Sequence, residues 1–152
     1  MSLHFEKYAA KGNEIVNKLA ALLSVPEDKS ARILRATLHA LRNRISIEES
    51  FHLLAQLPVA LKGVYVDGWK PLEYHERIRH LHDFLNEIRL QDSSLAAYDF
   101  GNDEKARMLV GRVFQILQQF VSEGEMADII GNLPSELKAF ILIEGTEQHI
   151  VM

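Results

Sequence analysis

The sequence predicts an all-α protein, a helical bundle of two tandem pseudo-symmetric helical repeats. Three observations carry this prediction. Apolar residues recur at intervals of three and four along most of the chain, the period of a helix with one buried face. One phrase, Leu-Pro-x-x-Leu-Lys, is written twice, at 57–62 and 133–138, 76 positions apart. Strand-like alternation surfaces only briefly, in "GVYVDGW" at 63–69.

The first long helix is marked by "NEIVNKL" at 13–19, matched at 82–88 by "HDFLNEI". The second begins at Ser24-Val25-Pro26-Glu27, with Ser24 expected at the N-cap and Pro26 in the opening turn. Its stripe, Leu34, Leu38, Leu41 and Ile45, matches Leu109, Val113, Ile116 and Phe120 at a spacing of 75. Asn102-Asp103-Glu104 starts the matching helix. Next come two Ser-x-x-Glu boxes, Ser46 with Glu49 and Ser122 with Glu125. In such a box the hydroxyl caps the N3 amide while the glutamate reaches back to the Ser amide. Apolar pairs follow, Leu53-Leu54 and Ile129-Ile130, and then Leu57-Pro58 and Leu133-Pro134. Proline stops one helix and suits the first turn of the next. Leu38, Leu41, Leu57, Val113, Ile116 and Leu133 are the predicted core. The loop at 89–102 is six residues longer than its counterpart. The expected organisation is a single domain, 1–152, with repeat one at about 5–66, a joint at about 63–72, repeat two at about 73–143 and a tail at 144–152.

The 152 residues are 47% hydrophobic and 25% charged, a globular mixture. The absence of cysteine removes disulfides and thiolate metal sites. The N-terminus lacks the apolar run of a signal peptide, and no stretch has the length of a membrane span. A cytoplasmic location, with no membrane partner, is therefore expected. Net charge is −4, which argues against a general nucleic-acid binder. The charge is uneven: residues 1–90 carry +2 and residues 91–152 carry −6.

Seven histidines raise the question of a metal. In "EYHERIRHLHDF" taken as a helix, His80 and His82 point apart, and Glu76 with His80 makes only half a site. Glu49-x-x-His52 fits half of a carboxylate-bridged di-iron pattern, which needs two such motifs and two more glutamates. The position matching His52 is Asp128, and the capping box already accounts for Glu49. No metal and no cofactor are predicted. No nucleophile–base pairing or glycine-rich phosphate loop is present, so a non-enzymatic role is expected.

Two faces and one joint remain as candidate interaction sites. Arg32, Arg35, His39 and Arg42 form a basic stripe opposite the apolar one. The same positions in the later helix hold Arg107, Val110, Phe114 and Leu117, a second apolar stripe. Its cover is expected from the long loop (Leu95, Tyr98, Phe100), from 140–143, or from a second copy of the chain. Tyr65 and Trp69, in the joint, are large amphipathic side chains suited to a clamp between packed units or to an interface.

The run "AQLPVALKGVYVDGW", followed by the "HDFLNEI" helix, resembles the bacterial domain-of-unknown-function 2267 family over roughly residues 5–143. The resemblance rests on the Leu-Pro-x-x-Leu-Lys turn, the Gly-Val-Tyr-x-x-Gly-Trp joint and the Phe-Leu helix opening, in that order. It implies an all-helical fold of this size and brings no established activity. The expected role is thus binding or scaffolding, through a homodimer or a protein partner, with candidate residues Tyr65, Trp69, Arg32, Arg35, Arg42 and Phe114. The alternative is a small-molecule or metal-binding bundle with hydrolytic chemistry.

Overall fold

The computed structural model describes residues 1–76, 78, 80–91 and 95–131. Among these the only regular elements are helices: α1 (Phe5–Leu23), α2 (Glu27–Arg42), α3 (Ile47–Gln56), α4 (Val59–Val66), α5 (Leu81–Arg89), α6 (Leu95–Phe100), α7 (Asp103–Leu117) and α8 (Glu123–Gly131). Helix α2 lies at the centre, packed on α1, α4, α5, α6 and α7, while α7 also meets α1, α5 and α6. Helices α3 and α8 pack against each other.

The predicted core residues that are described are all buried: Leu38, Leu41, Leu57, Val113 and Ile116. Leu133 lies outside the described residues, as do the second Leu-Pro phrase and residues 140–143. Along the inner stripes Leu34, Ile45 and Leu109 are buried, and Phe120 packs on the core half-exposed.

Three starting caps form as the sequence predicts. Ser46 Oγ accepts from the Glu49 amide at 3.0 Å, Ser122 Oγ from the Glu125 amide at 3.1 Å, and Asn102 Oδ1 from the Lys105 amide at 2.8 Å. Ser24 does something else. It closes α1 in a left-handed conformation, φ 56°, while Val25 donates to Ala20 O and Pro26 takes the N-cap of α2. Only two residues separate Ser24 from the start of α2, so the chain turns there and leaves Ser24 no helical amide to cap.

The joint also differs from its reading. Gly63-Val64-Tyr65-Val66 is helical, and the turn comes at Gly68, whose φ of 67° disfavours any side chain. Helix α5 begins only at Leu81, with His80 extended as its N-cap, so Glu76 and His80 share no helix. The long loop folds into α6, which packs over α2, α5 and α7 and buries Ala96 and Phe100. Leu95 and Tyr98 stay exposed.

Candidate functional site

The basic stripe of α2 is turned to internal work. Arg32 makes a two-pronged bond to the wholly buried Asp99 of α6, at 2.8 and 3.1 Å. Arg35 bonds Asp67 at 3.0 Å. Arg42 donates to the carbonyls of Tyr65 and Asp67, at 2.6 and 2.9 Å. His39, itself buried, donates from Nε2 to the Val64 carbonyl at 2.7 Å, which fixes its proton on that nitrogen. The last carbonyls of a helix have no partner within it and carry negative partial charge. Three side chains of the stripe therefore gather at the end of α4.

Tyr65 is fully buried, its hydroxyl 2.6 Å from Ser50 Oγ of α3. Burial pushes the phenol up to about 12, against the smaller opposing pull of Ser50 and Arg42. Trp69 meets Tyr65 edge-on, ring centres 5.6 Å apart, and is half-exposed. Phe114, with Val110 and Leu117, is wholly buried inside one chain, which leaves that stripe no surface to offer another. Of the six candidate interaction residues, Trp69 alone is both aromatic and partly exposed.

Sequence reading missed the leading half of α1. Residues 5–11 are all exposed, including Phe5 at 69% and Tyr8 at 38%. Beside them an open groove of about 430 Å³ is lined by Lys7, Tyr8, Lys11, Glu14, Pro58 and Val59. Lys11 lies over the Phe120 ring at 5.3 Å, and close backbone packing begins at Gly12, where a Cβ would lie 2.8 Å from the Ala60 Cβ of α4. The available signal was the run Phe5, Tyr8, Ala9, which continues no stripe of the matching helix.

A second cluster sits where α3 meets α8. Both boxes make their hydroxyl cap, but neither glutamate reaches back. The Ser122 amide is taken by Gln56 Oε1 at 2.7 Å. The freed carboxylates of Glu49 and Glu125 face each other, with His52 Nδ1 3.9 Å from one oxygen of each. Burial first, then the charge of Glu49 and a hydrogen bond with its side chain, pushes the Glu125 carboxyl above the ordinary range, with His52 opposing and Asp128 adding to the effect. These three residues could hold a metal ion: one ligand atom from each lies within 4.8 Å of the others. The signal was in the sequence, as two boxes in equal register with His52 and Asp128 at matching positions. What it lacked was the pairing of the two helices.

His82 is exposed, its Nδ1 2.6 Å from Asp103 and its other nitrogen 3.1 Å from Asn86. The pair braces the start of α7 against α5 together with Arg89, 2.7 Å from Asp103. No helix among the described residues is long and apolar enough to cross a membrane. Comparison with curated proteins yields no match. The model of the family described as "Uncharacterized conserved protein (DUF2267)" matches residues 12–140. With most of its length matched, the chain belongs to the DUF2267 family.

Proposed function

We propose that the protein is a non-enzymatic binding module that self-associates, its docking element being the leading half of α1. The single observation behind this reading is that seven consecutive helical residues, 5–11, are all exposed while carrying Phe5 and Tyr8. Two turns of helix are not self-supporting in water, and a helix with an apolar face needs cover. The charges favour a second copy as that cover. Glu6, Lys7, Lys11 and Glu14 place both signs along the same turns. A two-fold axis across α1 runs the paired helices antiparallel, which sets Lys7 of one against Glu14 of the other. The groove beside Val59 then receives the aromatic side chains.

Sedimentation velocity over a concentration series tests this. The wild type should move as a dimer, and Phe5→Glu with Tyr8→Glu should yield a monomer of unchanged helical content, since both residues lie outside the core. A wild type that stays monomeric, or a double variant that still dimerises, ends the proposal.

A further inference from the structure

We infer that Glu49, His52 and Glu125 form a site for one divalent first-row transition-metal ion, bridging α3 to α8. The site lies on a different helix pair from the α1 groove and stands on separate observations.

The first is geometric. His52 Nδ1 stands 3.9 Å from Glu49 Oε1 and from Glu125 Oε2, too far for a hydrogen bond. Two metal–ligand bonds of about 2.1 Å can span a separation of that size. Small rotations of the two flexible glutamates complete the fit.

The second is an unmet need. The Glu125 side chain is only 9% exposed, and its Oε1 has no hydrogen-bond partner. Oε2 of Glu49, across the seam, is buried and equally without one. A buried carboxylate oxygen with no donor is costly, and two like charges side by side add to the cost. The capping boxes do not relieve it, since the return arms are unmade and Gln56 holds the Ser122 amide. A bound cation offsets the like charges, and the orphaned oxygens, which are not the two nearest His52, reach it once the carboxylates turn or bind through both oxygens.

The donor set selects the ion. Magnesium and calcium favour all-oxygen surroundings, whereas one imidazole with two carboxylates suits zinc, manganese or iron(II). His52 is half-exposed, so water can complete the coordination from the solvent side. Asp128, close enough to act on Glu125, adds negative charge around the ion.

The test uses the full chain freed of metal with a chelator, then titrated with zinc chloride, and with magnesium and calcium chlorides for comparison. Zinc should bind one ion per chain by calorimetry and raise the melting temperature, with magnesium and calcium giving little. Glu125→Gln should abolish the zinc-induced rise and, in chelator, melt no lower than wild type, because it removes a buried like charge. His52→Ala, at a half-exposed position, should fold normally and lose at least roughly 10- to 100-fold in zinc affinity, the loss seen even for outer partners of a ligand. The inference fails if zinc leaves the melting temperature unchanged, as it would if the two glutamates simply shared a proton. It fails equally if the zinc response survives in both variants, which would place the ion on other histidines, or if magnesium or calcium matches zinc.

Discussion

Helices α2 and α7 each carry an Ala-Arg pair about a turn from their start, Ala31-Arg32 and Ala106-Arg107, and bury the same kind of inner stripe, yet their outer faces use opposite chemistry. On α7, Val110, Phe114 and Leu117 are sealed by surrounding helices. On α2, Arg32, Arg35, His39 and Arg42 are engaged by Asp99, Asp67 and the terminal carbonyls of α4. Both faces are therefore spent on holding the chain together. A charged stripe at helical spacing can tie helices together while part of it stays in solvent, as Arg32 and Arg35 do at 34% and 40% exposed. The difference is what each needs: the apolar face needs shape, and the basic face needs acceptors at fixed positions.

Three experiments sharpen that contrast. The largest effect belongs to the apolar face. Phe114→Ala should cost about 3–5 kcal/mol in denaturant unfolding, since a fully buried ring leaves a cavity that neighbouring helices fill only in part. A loss near zero would mean that α7 is not sealed. The basic face should respond less and in a different pattern. Asp99→Asn should lower the unfolding midpoint by less than the Phe114 truncation, because Arg32 keeps access to solvent. Replacing both partners, Arg32→Met with Asp99→Leu, should recover most of that loss, as buried ion pairs exchanged for apolar residues often do. Strictly additive effects would show that the two residues are not coupled.

The smallest effect appears at the alkaline end and reads the carbonyl-rich end of α4. Tyr65, raised to about 12, is favoured as neutral phenol in the fold. Its contribution to stability is whole below its ordinary pKa of 10 and is lost as pH climbs through 12. Phenolate absorbance should therefore show one of the four tyrosines ionising late, together with unfolding. If Tyr65 titrates near its ordinary value of 10 in folded protein, it is not sealed.

Much of this fold was legible because its signals are local. Ser46, Ser122 and Asn102 announce helix starts within three residues of themselves, and the inner stripes of α2 and α7 need nothing beyond periodicity. Local signals fail where a group has two partners to choose between. Ser24 had the composition of a start but, two residues from the next helix, served as an end. Glu49 and Glu125 could reach back to their own boxes or across to each other, and only the pairing of α3 with α8 decided it. The arginines of α2 could meet solvent or the end of α4. Guanidinium chemistry suits both, so nothing in the stripe itself foretold its direction. The exposed half of α1 was hidden for the converse reason: apolar residues at helical spacing look the same whether or not anything covers them.

Gly12 acts as a fulcrum. Behind it α1 is locked to the body by Ile15, Leu19 and Ala20, and ahead of it residues 5–11 are all exposed, touching the body through Lys11 over the Phe120 ring and along the groove beside Val59. The pivot height is set by the missing methyl group, since a Cβ there would press on Ala60 at 2.8 Å. Two turns of rigid rod magnify any displacement at the pivot before it reaches Phe5. Gly12→Ala would therefore redirect the arm as well as strain its base. The aim of the exposed aromatics is governed by a residue with no side chain of its own.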